Sequence, residues 1–171
     1  LCLITLGSGV AKADKTSCDK AKADADAKRT EASAAMAATT VNKASAVTRL
    51  NDLNQWYDEN SEDPAWTQQM RTDWFTATIA AENKLLAQSG SSTAYLAFGD
   101  SCWDAGELDL SADYYQAEYA QPDYPAAEGY AIDAKNSYQA AIGYAGDAQT
   151  KINEANYQMD LAYEIKLLID P

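Results

Sequence analysis

Histidine is absent from all 171 residues, and that absence removes more chemistry than any residue present suggests. Without imidazole there is no Ser-His-Asp or Cys-His pair, no His-ligated zinc or haem, and no Glu-x-x-His helix of the di-iron bundle type. Cations are also scarce, 13 Lys and Arg against 26 Asp and Glu, for a net charge of −13. Such a chain is repelled by phosphate backbones and anionic headgroups, so neither nucleic acid nor a membrane surface is an expected partner. An enzyme here would have to work with carboxylates, Tyr, Lys or Cys alone, and no arrangement of them reads as a catalytic centre. The expectation is no catalysis and no cofactor.

What is present begins with an apolar run over residues 1–10, whose later members are small. Ala11-Lys12-Ala13 follows, and the composition then turns abruptly charged at Asp14-Lys15. An apolar run too short to span a bilayer, followed by A-x-A, is the pattern of a secretory leader and its cleavage site. Residues 1–13 are therefore expected to be a signal-peptide remnant. Residues 14–171 are expected to form a single helical-bundle domain, secreted or periplasmic and without a membrane span.

Helix signals dominate after Asp14. Residues 16–59 open on Thr16-Ser17-Cys18-Asp19, read as a capping box of Thr16 with Asp19, and continue through an Ala-rich stretch with opposite charges four apart, such as Lys20 with Asp24. Asp63-Pro64 is expected to start a second helix that buries Trp66, Met70, Trp74, Ala77, Ala81 and Leu85, with Gly90 just past its end. A third segment, 93–120, is interrupted by Gly99 and Gly106, and reads equally as one helix or two. Beyond residues 121–125, the stretch 126–168 carries an apolar stripe through Tyr130, Ala134, Ser137, Ala141, Tyr144, Ala148, Ile152, Ala155, Met159 and Ala162, broken by one stutter at Ala148 and widened on one side by Tyr138, Ile142 and Ala145. Tyr130 and Tyr144 are expected in the core.

These lengths predict an all-α, four-helix up-down bundle in which the long first and fourth helices, each about 65 Å, extend as a two-helix stalk of residues 16–32 and 150–168. Two expectations then collide at Cys18 and Cys102. Export and an even count of cysteines beyond the leader favour a bridge between them, whereas a stalk would hold them more than about 25 Å apart, too far for a disulfide.

The acidic cluster Asp100, Asp104, Glu107, Asp109 and Asp113 reads as a solvated face, because Cys102 and Trp103 fall where a calcium loop needs oxygen ligands. Tyrosine is abundant, with eleven copies. Tyr114, Tyr115, Tyr119 and Tyr124 cannot all face one core, since adjacent helical residues point about 100° apart. They form a candidate aromatic binding surface. The function expected is that of an exported structural or interaction protein, working through a protein partner or self-association. A helical ligand- or peptide-binding module, a periplasmic chaperone or sensor, is the alternative.

Overall fold

The computed structural model describes residues 14–86, 90–111 and 122–170, and 92% of it is helix, with no strand among the described residues. Four helices follow in order: α1 (Lys15–Asn60), α2 (Gln68–Leu86), α3 (Gly90–Leu110) and α4 (Tyr124–Ile169). The all-α expectation holds.

The helix ends are set by local hydrogen bonds. Asp14 caps α1, its Oδ1 accepting from the Ser17 amide at 2.9 Å while its own amide donates to Ser17 Oγ at 3.2 Å. The box is thus Asp14 with Ser17, two residues earlier than the sequence suggested. Asp63-Pro64 forms a turn rather than a helix start, its carboxylate accepting from the Ala65 amide at 2.8 Å. α2 begins four residues later, where Thr67 Oγ1 accepts from the Met70 amide at 3.1 Å. Asp123 caps α4 through the Ala126 amide at 3.0 Å, which places Pro125 in the first turn as expected. Gly90, expected just past the end of α2, is the first residue of α3, and residues 87–89 before it lie outside the described residues.

The chain divides into two compact units, residues 1–36 with 90–145 and residues 37–89 with 146–171. In the first unit, the opening half of α1 packs with α3 and the opening half of α4. Ser17 reaches Glu128 and Lys135 reaches Asp24, both with a sequence offset of 111, so α1 and α4 run parallel there. Lys22 pairs with Glu107 and Arg29 with Asp100, and the falling numbers make α3 antiparallel. Its core is Cys18, Ala25, Ala32, Cys102, Ala127, Ala131, Ala134, Tyr138, Ala141 and Ala145. Alanine methyl groups fill little volume, so the helices come close, and Tyr138 is the largest of the fully buried side chains described in this unit.

In the second unit, the closing halves of α1 and α4 are again parallel, through Asn42 with Gln149 and Arg49 with Asp160. α2 turns back on α1 across a short connection. The core here is heavier: Leu50, Leu53, Trp66, Trp74, Leu85, Ile152 and Met159 among alanines.

Among the described residues each unit has three helix segments, not the four of the expected bundle. An up-down-up-down order would set α1 and α4 antiparallel, whereas they run parallel, with one short helix against them among the described residues of each unit. Residues 16–32 and 150–168, expected to pair as a stalk, fall in different units. The buried positions of α4 also differ from the expected stripe. The apolar ones run 127, 131, 134, 138, 141, 145, 148, 152, 155, 159 and 162, alternating four and three without a stutter, and Ser137 is buried beside them, as expected. Tyr138 is therefore the core tyrosine, while Tyr130 and Tyr144 are half-buried.

Candidate functional site

The second unit gathers aromatic and cationic side chains at the turn between α1 and α2. Trp56, Tyr57, Trp66, Trp74 and Phe75 form one cluster with ring centroids 5.0 to 6.0 Å apart. Trp66 Nε1 donates to the Asn60 carbonyl at 2.9 Å, so the ring that closes the core also satisfies the end of α1. The guanidinium of Arg71 lies 5.4 Å from the Trp66 ring and donates to Tyr57 Oη at 3.2 Å. On the other side, Lys166 Nζ sits 4.6 Å from the centre of the Trp56 ring.

Beside that lysine is a cavity of about 230 Å³ lined by Arg49, Asp52, Leu53, Trp56, Tyr163 and Lys166. Its cations are already engaged, Arg49 with Asp160 at 2.6 Å and Lys166 with Asp170 at 3.4 Å. The site can receive a small flat or apolar group between Trp56 and Tyr163 with polar contacts at its rim. Its lining pairs no nucleophile with a base.

α2 presents a second feature. Its inward stripe is Trp74, Ala77, Thr78, Ala81 and Leu85, yet Phe75, Ile79 and Leu86 on the outside are 47%, 53% and 73% exposed. With Thr72, Thr76, Ala80 and Asn83, Phe75 and Ile79 line a shallow depression of about 570 Å³. None of these side chains is charged.

The first unit holds a polar network instead. Tyr138 Oη donates to Asp100 Oδ1 at 2.9 Å, and Arg29 Nε meets the same oxygen at 2.9 Å. Burial and then the Asp100 carboxylate push the Tyr138 phenol well above its ordinary value, so it remains a neutral donor. This arrangement ties three helices together and leaves the phenol no access to a reacting group. Asp133 on α4 carries a buried Oδ2 with no hydrogen-bond partner, and burial raises its carboxyl above the usual range.

The residues singled out from the sequence are not brought into one site. Tyr124 is half-buried in the first turn of α4; Tyr114, Tyr115 and Tyr119 lie outside the described residues, as do Asp113 and residues 1–13, where a leader was expected. Cys18 is buried with a free thiol, while Cys102 is disulfide-bonded, so the two are not joined to each other. Both are fully buried in the first unit, so Cys18 does not stand isolated at a stalk tip. In the acidic cluster, Asp100 and Glu107 are taken by Arg29 and Lys22. Among the described residues, no group of three His, Cys, Asp or Glu side chains can hold a metal ion, and no helix is long and apolar enough to cross a membrane.

Two features escaped the sequence reading. The cavity joins residues more than a hundred positions apart, which periodicity does not reveal. The outer face of α2 did leave a signal: Phe75, Ile79 and Leu86 stand off the inward stripe and recur at helical spacing. No protein-family model, curated protein or solved structure matches this chain.

Proposed function

We propose that this chain is an exported structural or interaction protein of the cell envelope or extracellular space, acting through helix packing or self-association. The observation that carries the reading is the uncharged, apolar outer face of α2 on a chain of net charge −13. Exposed apolar patches of this kind mark association surfaces, because leaving them in water forgoes roughly 25 cal/mol per Å². The reading assigns the chain no catalysis and no cofactor. Size-exclusion chromatography with light scattering over a wide concentration range tests it. Concentration-dependent assembly supports it, and a strict monomer that recovers no protein partner from its native fraction ends it.

A second reading, a helical ligand- or peptide-binding module, is favoured by the cavity beside Trp56 and Tyr163. Under this reading the protein stays a monomer, and quenching of tryptophan fluorescence by a bound peptide or small ligand is lost in Trp56→Ala.

A further inference from the structure

We propose that the outer face of α2 is a homotypic interface that takes the α2 of a second copy of this chain, antiparallel, about a two-fold axis at the level of Ala77 and Thr78. The proposal rests on the self-association reading above and names its surface, its partner and its geometry.

Two molecules of charge −13 repel each other, so a second copy can approach only where the surface is locally neutral. α3 carries Asp100, Asp104, Glu107 and Asp109 and no cation, whereas α2 carries Arg71 and Lys84 against Asp73 and Glu82. Its outward strip of Thr72, Phe75, Thr76, Ile79, Ala80 and Asn83 has no charge at all.

The placement of those four charges is complementary to itself. Arg71 and Glu82 are eleven positions apart, as are Asp73 and Lys84. At about 100° per residue, eleven positions overshoot three turns by only about 20°, so each pair shares one flank of the strip. Every flank thus has a cation at one end and an anion at the other. When two helices pair antiparallel about a two-fold axis, each flank meets the same flank of the second copy, reversed. Arg71 then stands opposite Glu82 of the second copy, and Asp73 faces its Lys84, which also holds Glu154 of its own chain at 2.5 Å.

Shape favours the same register. Phe75 lies over Ala80 of the second copy, Ile79 over its Thr76, and Thr72 over its Asn83. Large side chains meet small ones, as interdigitated packing requires. A parallel pairing would set Phe75 against Phe75 and align the two helix dipoles, which the antiparallel one opposes. The strip over residues 72–86 spans only about 21 Å, so the dimer belongs to the small, weak class of interfaces.

The test uses the full-length protein from about 10 μM to 1 mM, a range suited to weak interfaces, in sedimentation equilibrium with circular dichroism as the folding control. Wild type is expected to dimerise, and Ile79→Glu to weaken the dimer by at least about tenfold. Arg71→Glu alone and Glu82→Lys alone are each expected to remain monomeric, because each places like charges opposite one another. Mixed one to one, the two variants are expected to recover a dimer. The acid introduced in one copy then faces the base introduced in the other, and the native Arg71 of the second faces the native Glu82 of the first. Should Arg71→Glu fail to fold, owing to its contact with Tyr57, Ile79→Glu and Glu82→Lys still decide the face. A wild-type dimer indifferent to both of these overturns this interface while leaving self-association standing. A wild type that is monomeric throughout overturns both. Rescue of Arg71→Glu by Asp73→Lys, with no rescue by Glu82→Lys, would mean parallel pairing and overturn the geometry.

Discussion

Gly99 of α3 lies so close to the ring of Tyr138 on α4 that a Cβ built on it would stand 2.5 Å from Cε1 and 2.7 Å from Cδ1. The ring cannot move aside easily, because Tyr138 is fully buried and its hydroxyl is tied to Asp100. Gly99→Ala is therefore expected to destabilise the protein by up to about 2 kcal/mol, since overpacking costs roughly 1 to 3 kcal/mol against roughly 1 kcal/mol gained in helix propensity. Gly143 and Gly146, whose added Cβ would meet nothing within 4 Å, supply the control. Alanine there is expected to raise stability by about 0.5 to 1 kcal/mol in urea titrations. Equal effects at all three positions would remove Gly99 from under the ring.

Tyr138→Phe keeps the packing and removes one donor from Asp100. The expected loss is about 1 kcal/mol, with Arg29 still holding the carboxylate. In a double-mutant cycle with Arg29→Met, the two losses should fail to add, since both groups meet the same oxygen. Strict additivity would show that they act separately.

Burial raises the Asp133 carboxyl above its ordinary value of 3.8. The folded state therefore holds the proton more tightly than the unfolded chain. The stabilisation this confers is fully present below pH 3.8 and is lost as pH rises through the raised folded value. At neutral pH the buried charge is a liability, and Asp133→Asn is expected to raise the thermal midpoint. A lower midpoint would mean that the carboxylate is paired at neutral pH.

Asp24 and Glu154 shift the opposite way. Hydrogen bonds from Lys135, and from Lys84 and Lys151, hold their carboxyls below the ordinary 3.8 and 4.5. Their contribution is present above those values and lost as pH falls through the lower folded ones. Glu154→Gln should therefore weaken stability at about pH 7 and leave it unchanged near about pH 2. Both groups are exposed, so the effect should shrink at about 1 M salt.

Cys18 is a buried free thiol, and burial raises its pKa. Without reductant, it is expected to resist alkylation in the native protein and to react on unfolding, while Cys102 stays protected until reduced. A tryptic peptide linking Cys18 to Cys102 would contradict the structure.

The sequence alone determined what rests on near neighbours. Asp123 ahead of Pro125 opened α4, because the carboxylate serves an amide three positions on and proline's fixed φ suits the first turn. Ala-rich composition, spaced at four and three, settled that α1 and α4 are long helices. The same local logic misjudged Asp63-Pro64, whose turn uses identical residue types; Thr67, four positions later, is the cap that a helix follows. Which tyrosine enters the core was decided elsewhere. Tyr138 and Tyr144 both lie close to the apolar stripe, and Tyr138 goes inside because Gly99 on α3 leaves room for its ring and Asp100 receives its hydroxyl. The parallel run of α1 beside α4 was likewise invisible. Helix formation depends on bonds four residues long, whereas the partner and direction of a helix depend on side chains more than a hundred residues away, such as Asp24 with Lys135 and Arg49 with Asp160.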